Sequence, residues 1–294
     1  MTSTLGQAQG GLLRAGRAAP PGGRPAAMVL LYATLVLGAL LALLPMLWML
    51  SASLMPTGEA NSYPPRLVPS RVTLEHYRDL FTRLNLGRYL VNSAIVALVV
   101  TASSVLVNSM AGYAFSKLRF RGRDRLFRLM SVGLVVPVQV AMLPLFLLMK
   151  SLGLINTYWG VIIPGMASIF GIFLVRQYAL SFPSELLDAA RIDGAGEFRI
   201  YWSVAMPALR PILATLAIWT FLSTWNDFMW PLIVLSDERR FTLPVALASL
   251  VGEHVQDTEL MMAGSVLTVM PVLLVFLFLQ RYYIAGITAG SVKG

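Results

Sequence analysis

The stretch Ser181-Phe-Pro-Ser-Glu-Leu-Leu-Asp-Ala-Ala-Arg-Ile-Asp-Gly-Ala-Gly-Glu-Phe-Arg-Ile-Tyr-Trp-Ser-Val-Ala-Met-Pro207 is a charged island between two long apolar runs, and its reading decides the fold. Pro183 followed by Glu185 and Asp188 predicts a helix start, because a fixed φ suits the first turn and acids complement its exposed amides. Gly194 predicts the stop. Between them Leu186, Leu187, Ala190 and Arg191 mix apolar, small and charged groups over two turns. That is the pattern of a short helix that docks on a partner or lies on a bilayer surface.

The apolar runs on either side cover residues 154–175 and 211–235, and four more lie at 28–50, 89–115, 129–149 and 260–280. A helix needs about 20 apolar residues to cross a bilayer, so each is long enough to span. The fold class expected is all-α, a polytopic membrane protein with six transmembrane helices. Composition agrees: 294 residues with 57% hydrophobic and 13% charged content are too apolar for soluble domains.

Residues 1–27, rich in Gly, Ala and Pro, read as a disordered leader. The first apolar run has 23 residues, longer than a signal-peptide core of about 7–15, so it is expected to stay as an anchor. Basic residues set the orientation. With both termini in the cytoplasm, cytoplasmic segments hold 15 of the 23 basic residues and 5 of the 14 acidic ones, against 8 and 8 outside. The formal charge of +9 is thus a topological signal, and Glu185, Asp188, Asp193 and Glu197 form an acidic exception on the basic side. Nucleic acid is not an expected partner.

Several chemistries are excluded. There is no cysteine and only two histidines, His76 and His254, so a zinc cluster, haem site, disulfide framework or cysteine nucleophile is not expected. The three lysines, Lys117, Lys150 and Lys293, follow Ser116, Met149 and Val292, so no Gly-Lys-Ser/Thr phosphate loop exists. If ATP drives this protein, another subunit hydrolyses it.

The second run carries Asn92, Ser93, Thr101, Ser103, Ser104, Asn108 and Ser109, which suit either close packing inside a bundle or a pore lining. Prolines at 137, 144, 164, 211, 231 and 271 predict local bends. In the fifth run, Trp225-Asn-Asp-Phe-Met-Trp-Pro231 places a carboxylate and an amide among aromatics. An acid at membrane depth costs about 2.5–3.5 kcal/mol on insertion scales, so Asp227 should face protein or water. Two readings stay open: a polar translocation path, with Trp225, Asn226, Asp227, Trp230 and Asn108 as candidates, or an interfacial or helix-tying acid.

At the charged island the residues carry a resemblance. Asp188-Ala189-Ala190, three residues, Gly194, nine residues, then Val204-Ala205-Met206-Pro207 resembles the EAA loop of permease subunits of bacterial ABC importers: Glu-Ala-Ala, three residues, Gly, nine residues, Ile-any-Leu-Pro. Asp, Val and Met here replace Glu, Ile and Leu. Asn108-Ser-Met-Ala-Gly-Tyr-Ala-Phe-Ser-Lys-Leu-Arg-Phe120, Trp225-Asn-Asp-Phe-Met-Trp-Pro-Leu-Ile-Val234 and the tail from Gln280 to Gly294 are similar to the carbohydrate-uptake branch, in particular its maltose-type second permease.

The resemblance implies a type I ABC importer permease fold, a non-catalytic subunit in the bacterial inner membrane, and a sugar or related polyol as cargo. It implies a heterodimer with a second permease, two copies of a cytoplasmic ATPase that bind ATP and Mg, and an external solute-binding protein received by loops 51–88 and 236–259. No cofactor is expected on this chain. The domains implied are the leader 1–27, a first helix and external loop 28–88, a five-helix core 89–282 with coupling loop 179–207, and a tail 283–294. Within the coupling loop, Glu185, Leu186, Asp188, Ala189, Ala190, Asp193, Gly194 and Pro207 are the residues implied to meet the ATPase. An ion-coupled secondary transporter or channel is the alternative; it usually buries a relay of ionisable groups, and this chain offers Asp227 alone. A membrane-embedded hydrolase fits less well still: both histidines fall in external loops, away from any triad-like context.

Overall fold

A computed structural model describes residues 24–64, 66–253 and 257–288. Most of the leader, His254 and the last six residues lie outside them. Among the described residues the regular structure is helical. Two compact units are distinguished, residues 1–48 and 49–294. The first contains most of α1 (Arg24–Ala52), whose sequence is apolar on every face, as a helix surrounded by hydrocarbon must be.

In the second unit, α3 (Leu86–Lys117) is the spine, packed along α7 (Ile169–Ser181) and α11 (Arg210–Trp225), while α14 (Thr258–Thr288) covers α11 from another side. Small residues make the closest approach. A methyl group on Gly112 of α3 would lie 2.7 Å from Val175 Cβ of α7, so only hydrogen fits at that crossing. The polar groups of α3 tie this bundle together. Asn92 Nδ2 donates to the carbonyls of Arg239 and Phe241, its Oδ1 accepts from Tyr158, and Ser93 Oγ accepts from the Leu243 amide at 2.7 Å. Close packing, the first of the two readings of this run, is what Asn92 and Ser93 do.

Among the described residues four helices can each cross a membrane by length and composition, at 27–52, 86–117, 158–181 and 258–278, and two bent pairs bring the number to six if each pair is one span. Six spans were expected, with local bends at the prolines; interruptions of this size were not. The run at 129–149 divides into α4 (Arg123–Val132), a short 3-10 turn and α5 (Val138–Ser151), bent by 108°. Pro137 is the cause: its ring drives Val136 to an extended ψ of 120°, where a helix cannot continue. The run at 154–175 starts late, at α6 (Tyr158–Gly165), and pauses at residues 166–168 before α7. Thr157 and Ser168 cap the two pieces by accepting from the amides of Gly160 and Gly171.

The helix expected over 211–235 ends at Trp225, and α12 (Met229–Val234) resumes after a three-residue break. Pro231 cannot donate to the carbonyl of residue 227 and its ring crowds that carbonyl, while Asn226 bonds its own backbone four residues back. At its other end α11 meets a segment made of α9 (Glu197–Ile200), a π-helical turn and α10 (Met206–Ala208), at a 79° bend flanked by Pro207 and Pro211. The loops at 51–88 and 236–259 are folded too: α2 (Glu75–Thr82) and α13 (Leu243–Glu253) lie within them. There His76 is buried with Nε2 2.9 Å from the Met55 carbonyl, and Glu259 Oε1 accepts from the Ala60 amide at 2.7 Å.

Candidate functional site

Two places assemble chemistry-bearing residues. The first is α8 (Glu185–Ile192), in the middle of the charged island. It starts with Glu185 and Asp188 in its first turn and ends on Asp193, after which Gly194 takes φ +80°. The Gly194 amide donates to the Arg191 carbonyl and the Ala195 amide to the Ala190 carbonyl, both at 3.0 Å, which is a Schellman turn. Nothing lies within 4 Å of a methyl group placed on Gly194, so its requirement is conformational and not steric.

The helix has two faces. Leu187, 1% exposed, packs with Tyr113, Ile200, Tyr201 and Ala205, and Ala190 and Ala195 border the same cluster. Leu186 and Ile192 point outward at 53% and 87% exposure, with Glu185, Asp188, Ala189 and Asp193 beside them. Arg191 pins α8 to the start of α9: its Nε reaches Glu197 Oε1 at 2.7 Å and its Nη1 reaches Asp188 Oδ1 at 2.7 Å. Hydrogen bonds to Glu197, then Asp188, hold the guanidinium pKa above its ordinary value. Lys117, at the end of α3, donates to the Phe182 carbonyl ahead of α8. The result is a small rigid knob carrying an exposed apolar and acidic face, anchored to α3 from behind. Pro207 is not on that face. It sits at the bend into α11.

This packing carries a prediction. Leu187→Ala removes the side chain that seats α8, at a cost of about 2–5 kcal/mol for a buried leucine. Transport should fall while the six-span body stays in the membrane, as measured by uptake against complex abundance. Uptake unchanged at equal abundance would mean that the seat is unimportant.

The second place is the break after Trp225. A cavity of about 330 Å3 opens there, lined among others by Asp227, Trp230, Thr224, Val100, Met142 and Pro164. Asp227 Oδ1 accepts from the Trp230 amide at 3.4 Å, a weak cap on α12. Trp230 holds the wall by donating its Nε1 to the Gly160 carbonyl at 3.1 Å. Of the five residues proposed from the sequence for a path, Asp227 and Trp230 line this cavity.

The other three are placed differently. Trp225 is buried in the core with Leu80, Leu86, Ala97 and Leu243, stacked on Phe221 and donating Nε1 to the Thr268 carbonyl. Asn226 is exposed and donates Nδ2 to the Leu222 carbonyl. Asn108 is fully buried; its Oδ1 accepts from the Ser168 amide at 3.0 Å and its Nδ2 donates to Ser104 Oγ at 2.6 Å. It closes the pause between α6 and α7, a task that no local sequence signal announces. Thr224 is a polar lining residue that sequence reasoning missed, as it missed the apolar lining from Val100, Met142 and Pro164; the position of Thr224 one residue before the aromatic cluster was the available signal.

Asn108→Ala should therefore act on stability. Leaving the part-buried Ser168 amide unpaired costs about 1–3 kcal/mol, which should lower the melting temperature of the purified complex without altering substrate preference. Altered preference at an unchanged melting temperature would return Asn108 to the path.

Comparison with known proteins agrees with this arrangement. The family model described as "binding-protein-dependent transport system inner membrane component" matches residues 104–288, which take in α7, the α8 knob and all of the Asp227 cavity lining but Val100. The arabinooligosaccharides transport system permease protein AraQ of Halalkalibacterium halodurans is 41% identical over 259 residues, covering 87% of this chain and 93% of AraQ. The lactose transport system permease protein LacG of Rhizobium radiobacter is 34% identical over 267 residues, covering 89% of this chain and 95% of LacG. Among solved structures, a chain of a bacterial ABC transporter that imports the acidic polysaccharide alginate superposes with a TM-score of 0.80 at 26% identity, over 90% of this chain and 99% of that one. A bundle of membrane-length helices that carries a short helix on its charged loop, and that these relatives match along most of its length, leaves one conclusion: the chain belongs to the inner-membrane permease components of binding-protein-dependent ABC importers.

Proposed function

We propose that this chain forms one half of the translocation path of an ATP-driven importer for an oligosaccharide or a related polyol. The observation that carries the reading is identity with AraQ and LacG over more than nine-tenths of their lengths, both named for oligosaccharide or disaccharide transport. The cavity beside Asp227 supports it: a carboxylate, a hydroxyl and an indole are the groups that accept from sugar hydroxyls and cover sugar C–H faces.

In this reading the chain pairs with a second permease, and two copies of an ATPase supply ATP, Mg and hydrolysis. The chain itself binds no cofactor and catalyses nothing. The exposed face of α8, with Glu185, Leu186, Asp188, Ala189 and Asp193, enters a cleft on one ATPase, while Ala190 and Gly194 shape its inner side and end. Closure of the ATPases pushes the knob, and Tyr201 and Ile200 behind it pass the movement to α3 and, through the bend at Pro207, to α11. Both termini lie in the cytoplasm, and the folded external loops receive a loaded binding protein. The leader 1–27, first helix and loop 28–88, core 89–282 and tail 283–294 serve as the functional divisions.

Uptake of a panel of radiolabelled oligosaccharides by cells lacking this chain tests the cargo. At least one sugar should enter only when the chain is restored; a panel with no such sugar, alongside loss of uptake of another solute class, would contradict it.

A further inference from the structure

Between α3 and α4 the chain turns at Arg119-Phe-Arg-Gly-Arg-Asp-Arg125 and continues to Arg128, five arginines against one acid. An open pocket lies among these side chains, lined by Arg119, Arg121, Arg123, Arg125 and Arg128. Neither the α8 knob nor the Asp227 cavity uses them. Arg123 is engaged, with Nε on Asp124 at 3.1 Å and Nη1 on the Leu118 carbonyl. Arg119, Arg121 and Arg125 are exposed and have no ion-pair partner among the described residues. Such a concentration of like charge is unfavourable unless an anion joins it.

The surroundings say what kind of anion. The turn is set directly on the membrane-spanning α3, and α4 is bent by 108° from α5. On α4 one face is anchored, with Phe127 buried under the Arg176 guanidinium, whose centre is 3.9 Å from the ring centroid. The opposite face exposes Leu126, Leu129 and Val132 at 52%, 73% and 65%, with Arg125 and Arg128 alongside. An exposed leucine stripe flanked by arginines, at the end of a membrane helix, matches the boundary between acyl chains and headgroups. A soluble phosphate would account for the arginines and not for the leucines.

We propose that the α3–α4 turn is a binding site for the phosphate of an anionic phospholipid in the cytoplasmic leaflet, with Arg119, Arg121, Arg125 and Arg128 as its ligands and Leu126 and Leu129 seated in the adjoining acyl region. The site rests on the inward placement of this turn in the proposed topology.

The test uses the whole transporter in nanodiscs of equimolar phosphatidylcholine and phosphatidylglycerol, with the retained lipids counted by native mass spectrometry. The wild-type complex should retain phosphatidylglycerol in preference. Arg121→Ala should lower that retention about five-fold and Arg121→Ala with Arg125→Ala about thirty-fold, from roughly 1 kcal/mol for each arginine near a membrane surface. Arg121→Lys with Arg125→Lys should keep most of it. Unchanged retention in the double alanine variant overturns the site. So does displacement of the lipid by excess inorganic phosphate, which would make the ligand a free anion. Loss of the ATPase from the double variant at unchanged lipid count would assign the patch to a protein partner and likewise overturn it. The topology is read separately: Phe120→Cys, in a chain with no other cysteine, should react with an impermeant maleimide in inverted vesicles and not in intact cells. Reaction in intact cells defeats the topology whatever the lipid count.

Discussion

Replacing Gly194 by alanine is expected to reduce binding-protein-dependent uptake about tenfold while the protein remains in the membrane. The reason is conformational. A φ of +80° lies in the left-handed region, and an L side chain there costs about 1–2 kcal/mol, a factor of about 5–30 in the population of the folded turn. Since the space beside Gly194 is open, side-chain volume should matter little. Valine should be worse than alanine only by its β-branching, and asparagine, which tolerates this region, should recover part of the activity. The order Gly, Asn, Ala, Val in uptake, at equal abundance, is the signature of a turn. An order that followed side-chain volume would instead mean that a partner surface presses on this position.

Asp227→Ala is the second large effect, expected to lower transport by at least tenfold, about 1.4 kcal/mol or more, within the range of a polar contact to a charged group. The structure allows the two roles of this carboxylate to be separated. As a cap on α12 it needs one oxygen acceptor for the Trp230 amide, which asparagine also provides. As a sugar ligand it needs its charge. Asp227→Asn should therefore leave the melting temperature of the complex unchanged and still impair transport, with a raised half-saturation concentration. If both variants transport with wild-type kinetics, Asp227 is a cap and the cavity beside it is not on the path.

What the sequence disclosed and what it withheld have physical reasons. Apolar length is a sum over many residues, so the runs at 89–115 and 260–280 fall inside α3 and α14 with only their ends extended. The island was legible as well: acids at Glu185 and Asp188 and a glycine at 194 bracket α8 as Glu185–Ile192. The breaks were not, although their residues were in view. Pro137 and Pro231 each divide a run, whereas Pro144 and Pro271 lie inside continuous helices. The difference is context: Pro137 follows the 3-10 turn that succeeds α4 after Val132, and Pro231 comes after Asn226 and Asp227, which already favour local bonds over the helix. Long-range pairings were the least legible. Nothing near Asn108 announces that its partner is the amide of Ser168, sixty residues on, and nothing near Trp225 announces that its indole meets Thr268 and not a solute.

That this chain moves solute by coupling to a separate ATPase through α8 is put to the sharpest test by ATP hydrolysis in the reconstituted transporter. The tagged chain is purified from its own membranes with whatever accompanies it, placed in liposomes, and assayed with and without the loaded binding protein, as wild type and as Gly194→Ala. The prediction is that an ATPase co-purifies, that loaded binding protein stimulates hydrolysis several-fold in the wild type, and that Gly194→Ala loses the stimulation but keeps the binding protein. Solute uptake by the chain alone, driven by an ion gradient and indifferent to ATP, would contradict it.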